Sequence, residues 1–508
     1  MGDRITDVAI IGGGDIGLLT ALILDRLNPD LSIRVIDDFS AEPPQVGKST
    51  YKRIGSILHD VLDIDEQTFI AAVKPVWKGS VFFRNWGGKT FHFPFDTSHH
   101  FPGTQTQRAN EFHYYLYSES CTRRDHRTRG EEIVAQRKSP MYYDPGQGRY
   151  RKYEFVAYHL NLKRFNAFLR ELCRDRSIPL VDDAVTEVQS GGEHIKQVIG
   201  EREAYQADLY VDATGFNRVL KSTLDDTFHA FDFPLNRAVN TRIDRPLEDV
   251  LPATAIDSGT AGWFWQIDTY DVRDIGYVYS SAFIEEEAAV AEFIDHCGGD
   301  IPPEEVGRFS FTSGYFPNAW QGNCVTIGNA EGFVEPLQST GLTANAEAAV
   351  VFANMMSAHG AVNDAGIRRT YNAWVARLWT SIYDFICLHY KFADGETPFW
   401  RSVQDLELSA RNRVILRHYD ENGFMTITNP LLDEPGVNDV LVFDPADFYL
   451  LLRNLGVRSS FYEDHAFDIS PKVRQQRDAY YLDIQQDVDG YLTHEEVYFG
   501  IPELADAD

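Results

Sequence analysis

The chain of 508 residues is short of lysine, of cysteine and of long apolar runs. Its five cysteines, Cys121, Cys173, Cys297, Cys324 and Cys387, are scattered and odd in number, and no two form a C-x-x-C pair. That pattern excludes a zinc ribbon and a disulfide framework and suits a reducing compartment. No apolar run reaches the length of a membrane span, and no charged segment leads into an apolar one at the start, so a cytoplasmic location is expected. The opening Met1–Thr6 fits the bare N-myristoylation pattern, but a strand begins at once after it, which argues against lipidation. Positive charge is also short: the formal net charge is -29, and arginine far outnumbers lysine. Such a field opposes binding to nucleic acid or to an anionic membrane. Acid excess with so little lysine belongs either to a protein kept soluble in high salt or to an ordinary acidic enzyme. Repeats and low-complexity tracts are absent.

What is present is a globular composition rich in aromatics, long enough for two or three domains. The apolar strand "DVAII" (Asp7–Ile11) runs into Gly12-Gly13-Gly14-Asp15-Ile16-Gly17 and then into the helical "LLTALILDRL". A second strand, "SIRVID", ends at Asp37. This is a βαβ unit with G-x-G-x-x-G in its first turn and a carboxylate about 20 residues on. Gly12, Gly14 and Gly17 allow a tight turn and close approach of a pyrophosphate, the helix N-terminus supplies N–H groups, and Asp37 can accept from a ribose hydroxyl. Two later strand ends, Asp212-Ala213-Thr214-Gly215 and Gly328-Asn329, the second followed by a Pro-containing loop and a long helix, move the expectation from NAD towards FAD. No second dinucleotide motif for NAD(P)H is found.

Two features remain. "GWFWQID" (Gly262–Asp268) places two tryptophans one residue apart. Strand alternation puts Trp263, Trp265 and Ile267 on one face, which either walls off a ligand or is core packing. "QQDVDGYLTHEE" (Gln485–Glu496) matches part of an EF-hand loop, but Gln485 stands where the first calcium ligand should be Asp, and an Asp-Gly turn explains most of the pattern.

Taken in order, "GGGDIG", "GWFWQID", "GYVYSS" (Gly276–Ser281), "FVEPLQSTG" (Phe333–Gly341) and "TPFWR" (Thr397–Arg401) resemble the flavin-dependent tryptophan halogenases over residues 7 to about 410. The resemblance implies an α/β fold. An FAD-binding doubly wound domain of the flavoprotein monooxygenase type would carry an antiparallel β substrate-side region (1–400), with a mostly helical C-terminal part (401–508). It implies that reduced FAD, supplied by a separate flavin reductase, and O₂ convert chloride or bromide to hypohalous acid. The acid passes through a tunnel to a lysine, which halogenates an electron-rich aromatic. By the resemblance that lysine is Lys74 in "AAVKPVW", with Gln338 beside it. Thr340 and Gly341 match the halide site, and Gly47, Ser49 and Leu342 join the cofactor residues. Phe93 and Phe95 lie near the arene, and Trp263 and Trp265 separate it from the flavin. The resemblance also leaves a homodimer open.

There are departures from the family. Gln338 replaces a Glu and cannot carry charge or take a proton. Asp268 replaces a Pro, and the strap "VGKSTYK" (Val46–Lys52) carries Lys48 and Lys52 where the family has V-G-E-[AS]-T-I-P. The C-terminal cluster that grips the amino acid is missing, with "NPLLDEPGVNDV" in that stretch, so free tryptophan is expected to be a poor substrate. Two other readings stand beside the halogenase: a related FAD hydroxylase or dehydrogenase, and a non-catalytic flavin-binding protein.

Overall fold

The computed structural model describes residues 3–41, 47–96, 127–224, 226–422, 442–443, 445–461 and 471–501. Gly2, Val46, Cys121 and the "NPLLDEPGVNDV" stretch lie outside them. The N-terminal apolar run becomes the middle of a six-stranded sheet ordered Leu180–Asp182, Ser32–Asp37, Asp7–Ile11, Leu209–Asp212, Cys324–Thr326 and Trp320–Gln321. The first five strands are parallel and the last is antiparallel. Both faces of Asp7–Ile11 are buried, as a near-continuous apolar strand requires. Helix Asp15–Leu27 covers one face and packs on helix Gly341–Ala358.

A seven-stranded sheet forms the other half, ordered Gly307–Ser310, Arg237–Asp244, Val272–Tyr279, Gly262–Asp268, Ala253–Ser258, Ser80–Trp86 and Lys89–Pro94. All its neighbours pair antiparallel except Ala253–Ser258 with Ser80–Trp86. In a third, small sheet Ala157–Leu160 pairs antiparallel with Lys48–Ser49 on one side and Val76–Lys78 on the other. This pairing sets two pieces of the chain, distant in sequence, beside each other.

Among the described residues the C-terminal part is helical: Ala410–Asn422, Pro445–Asn454, Pro471–Asp489 and His494–Gly500. It braces the small sheet. Trp77 N donates to His494 Nε2 at 3.3 Å, and Tyr498 Oη donates to Pro75 O. The segment 485–496 is not a calcium loop. Its first five residues belong to helix Pro471–Asp489, and Glu496 closes a capping box, accepting from Thr493 N at 2.7 Å. The carboxylate a calcium ion would need is already used to start a helix. No helix among the described residues is long and apolar enough to cross a membrane.

Candidate active site

Three turns meet at the carboxyl ends of the parallel strands. Gly12 has φ 106°, and a Cβ there would lie 2.5 Å from Ala213 O. A Cβ on Gly17 would lie 1.9 Å from Gly12 O, so helix and turn pack at a distance only glycine permits. Gly14 differs: a Cβ there meets nothing within 4 Å beyond its own stretch of chain among the described residues, and the same is true of Gly215 and Gly341. Gly328 approaches Ile16 from the third turn, with Asn329 beside it. Open space beside glycines at a helix N-terminus fits the diphosphate of FAD.

Two predicted cofactor carboxylates prove to organise these turns. Asp37 Oδ2 accepts from Gly13 N at 2.7 Å. Asp212 is buried and accepts from Thr214 N, Thr214 Oγ1, Leu220 N and Lys221 N at 2.6–3.1 Å. With both its oxygens bonded to the chain's own donors, Asp212 shapes the loop that carries Gly215.

The strap leads from this cradle to a second site. Gly47 N donates to Asp274 Oδ2 at 2.6 Å. Burial pushes the Asp274 carboxyl up to about 6, opposed by that bond and by Arg242. The two strap lysines find carboxylates at opposite ends, Lys48 with Asp15 at 3.2 Å and Lys52 with Asp447 at 3.3 Å. The Tyr51 backbone is tied to Thr343 in the first turn of helix Gly341–Ala358.

Lys74 is not the lysine at this second site. It terminates helix Glu66–Val73 in the left-handed region (φ 48°), half-buried, with Nζ 5.2 Å from the Tyr270 ring centre. Lys78 is the lysine that the fold brings to the strap and to the Gln338–Ser339 turn. Its residue is fully buried, and Nζ donates to Ser49 Oγ (3.0 Å), Thr50 O (3.1 Å) and Ser339 Oγ (3.0 Å). The Phe95 ring centre lies 5.1 Å away. Burial pushes the Lys78 ammonium well below the usual lysine range. Ser49 thus serves this lysine.

Gln338 and Ser339 both hold positive φ, 65° and 58°, a strained pair of non-glycine residues. The turn directs Ser339 to Lys78 and Gln338 to His389, on helix Ala365–Lys391. Gln338 Nε2 donates to His389 Nε2 at 2.8 Å, while His389 Nδ1 donates to Phe385 O at 3.0 Å. Burial pushes His389 down to about 3, so it is neutral, and Gln338 Oε1 has no partner among the described residues. Thr340 precedes the helix whose first-turn N–H groups, from Gly341 and Leu342 onward, lack intrahelical acceptors.

Aromatic rings surround this end of the site. Phe95 meets Tyr51 edge-on at 5.4 Å, Tyr51 meets Phe443 at 5.2 Å, Phe443 stacks on Phe385 at 3.7 Å, and Phe385 meets Phe93 at 5.8 Å. Trp263 and Trp265 share a buried face with ring centres 6.2 Å apart. Trp265 lies across Gly276 of the neighbouring strand, where a Cβ would sit 2.0 Å from its ring. Trp263 Nε1 donates to Glu335 Oε2 at 3.1 Å, joining the tryptophan strand to the loop that carries Gln338.

Burial pushes Glu335 up to about 8, only partly offset by Trp263. A carboxyl raised in the folded state costs stability as pH climbs from its unfolded value to its folded one. Wild type is therefore expected to lose thermal stability relative to Glu335→Gln between about pH 5 and pH 8. Thermal melts of both proteins across that range check it; a constant difference would show Glu335 ionised throughout.

Reading the sequence missed Lys78, Thr254, His159, His389, Tyr51 and Phe443. For Lys78 a signal existed: a lysine inside the apolar strand "VWKGSVFF" cannot turn to water without breaking the alternation, and lysine is rarely buried. The others come from distant segments and carry no local mark.

Residues 7–462 match the tryptophan halogenase family. The chain is 27% identical over 437 residues to tryptophan 7-halogenase RebH of Lentzea aerocolonigenes, covering 80% of this chain and 81% of that protein. It is 27% identical over 448 residues to tryptophan 6-halogenase ThaL of Streptomyces albogriseolus, with 80% and 81% covered. Among solved structures, the lanthipeptide tryptophan 5-halogenase MibH superposes with a TM-score of 0.82 at 25% identity, covering 99% of this chain and 96% of that one. BrvH, a flavin-dependent halogenase from Brevundimonas sp. BAL3, gives 0.80 at 23% identity and shares the fold.

Proposed function

Since the chain belongs to the tryptophan halogenase family and is an FAD-using, flavin-dependent halogenase, we propose that Lys78, not Lys74, delivers the halogen to the aromatic substrate. The observation that carries this is the fully buried Nζ of Lys78, held by Ser49, Thr50 O and Ser339 beside the Phe95 ring. A desolvated lysine is readily available as an amine, and an amine can take a halogen. Bound reduced FAD supplies the oxidising chemistry that turns halide and O₂ into hypohalous acid. The cradle of Gly12, Gly14, Gly17, Gly215, Gly328 and Asn329 would hold its diphosphate. The first-turn N–H groups after Thr340 and Gly341 would hold the halide.

The chain's own contribution is confinement. Trp263, Trp265 and Ile267 present one buried face of their strand, which supports a wall between flavin and arene. Phe95 lies against the buried Lys78, and Tyr51, Phe443 and Phe93 continue the same run of rings, an apolar surround in which a reactive halogen would meet an arene before it meets solvent. A separate reductase would supply the reduced flavin, and the free thiols Cys173, Cys297, Cys324 and Cys387 suit a cytoplasmic site of action.

The substrate class follows from the same site. The neutral carboxamide of Gln338 is buried and offers an Oε1 that has no partner among the described residues, which suits an N–H or O–H donor on an electron-rich ring. Indoles, pyrroles and phenols without a free amino-acid end are expected to be halogenated, and free tryptophan poorly, with kcat/KM lower by about 100-fold. Turnover with a flavin reductase, NADH, FAD and bromide over a panel of such arenes, read by isotope pattern, tests both statements. Efficient halogenation of tryptophan at micromolar concentration would refute the second, and no halogenated product from any arene would refute the first.

A further inference from the structure

An amine that accepts halogen must first lose the ammonium proton, and Gln338 cannot take it. The three acceptors on Lys78 Nζ are two hydroxyls and a carbonyl. One of those hydroxyls leads to a base. Ser49 Oγ and Thr254 Oγ1 lie 2.8 Å apart, and Thr254 Oγ1 lies 2.9 Å from His159 Nε2. The other ring nitrogen, Nδ1, lies 2.9 Å from Asp268 O.

The direction of every bond in this chain is determined. A backbone carbonyl only accepts, so His159 Nδ1 carries the hydrogen and Nε2 is the bare, accepting nitrogen. Thr254 then donates to His159, Ser49 donates to Thr254, and Lys78 donates to Ser49. All four side chains are buried.

We propose that His159 is the proton acceptor for Lys78, reached through Ser49 and Thr254. The inference rests on Lys78 being the halogen-carrying lysine. In the step, Lys78 gives a proton to Ser49 Oγ, Ser49 gives its own to Thr254, and Thr254 gives its own to His159 Nε2, leaving amine and imidazolium. The amine nitrogen attacks the halogen of hypohalous acid: the N–halogen bond forms, the halogen–oxygen bond breaks, and the departing hydroxide takes an N–H proton and leaves as water. When halogen passes to the arene, the C–halogen bond forms and the N–halogen pair stays on nitrogen. That nitrogen gains the proton the ring loses, and His159 returns its proton by the same path.

Of the charged groups around His159, Asp268 favours a transient imidazolium, and Lys78 opposes one until it has given up its proton. Asp268, whose carbonyl holds the ring, carries a carboxylate bound by Arg273 at 2.7 and 2.9 Å and faced by Arg245 at 3.6 Å. His494 is neutral, pushed down to about 3 by burial and by Arg245. Burial pushes His159 down to about 3, with the charge of Lys78 adding to the effect, so an imidazolium there is short-lived.

The test compares wild type, Thr254→Val, Thr254→Ser and His159→Gln in single-turnover arene bromination from about pH 6 to about pH 9, with FAD affinity measured on each. In wild type the proton moves within the site, so the rate is expected to be flat with pH. Thr254→Val breaks the path while leaving Lys78 and its three acceptors in place. Lys78 must then lose its proton to water. The rate should fall about 100-fold at neutral pH and rise about tenfold per pH unit. His159→Gln keeps both hydrogen bonds without a basic nitrogen and should behave the same way, while Thr254→Ser should restore the flat profile. Flat profiles within about threefold of wild type in both Thr254→Val and His159→Gln would overturn the relay. If either protein fails to bind FAD, the other with Thr254→Ser decides the matter. Lys78→Met separates the two claims: bromination surviving in it sinks the lysine assignment itself, whereas its loss alongside unaltered relay variants sinks only the relay.

Discussion

Replacing Lys78 by methionine is expected to abolish arene halogenation, by about 1,000-fold or more, while reduced flavin continues to be consumed by O₂. Methionine keeps most of the volume of a fully buried side chain and removes a desolvated charge, so the fold should survive. The loss falls on delivery alone, because the cradle around Gly14 and the lysine are built from different segments. An external halogen trap should therefore still collect hypohalous acid in the presence of bromide. Lys74→Ala, which removes a half-buried contact with Tyr270, should stay within about twofold of wild type. Arene bromination by Lys78→Met at the wild-type rate, or its loss in Lys74→Ala, would reverse the assignment.

Gly14→Val should weaken FAD binding by about 100-fold or more without unfolding the protein. The position is unusual among the fingerprint glycines. Its backbone, at φ -76° and ψ -176°, is extended, and a branched residue adopts that conformation readily. Among the described residues, nothing beyond its own stretch of chain lies within 4 Å of the added Cβ, so the side chain enters the space the diphosphate needs. Gly12→Val is the contrast: its φ of 106° and the Ala213 oxygen 2.5 Å away make the substitution a folding defect. Titration of apoprotein with FAD, with a thermal melt of each variant, separates the two. Wild-type flavin affinity in Gly14→Val would remove the diphosphate from this turn.

The sequence by itself determined the parts whose physics is local. A five-residue apolar strand, a turn that needs glycine at Gly12 and Gly17, and an apolar helix after it can form one βαβ unit, and they do. The tryptophan strand was legible for the same reason: alternation alone puts Trp263, Trp265 and Ile267 on one face. The departures from the family were visible too, but their meaning was not. Asp268 proves to be an arginine-bound anchor for the strand end, and Lys48 and Lys52 each find a carboxylate, at Asp15 and Asp447.

Tertiary structure alone decided which lysine matters. Lys74 and Lys78 are four residues apart, and motif matching cannot choose between them. The choice comes from a helix that ends at Lys74, followed by Pro75, and from a strand that pairs with Ala157–Leu160 and lays Lys78 against Ser49. The Ser49–Thr254–His159 path has the same origin. Its members are 205 and 95 residues apart along the chain, and only the meeting of three strands at a shared buried edge makes them neighbours. Side chains that meet through sheet pairing leave no period in the sequence, because the energy that holds them together belongs to the pairing and not to any one segment.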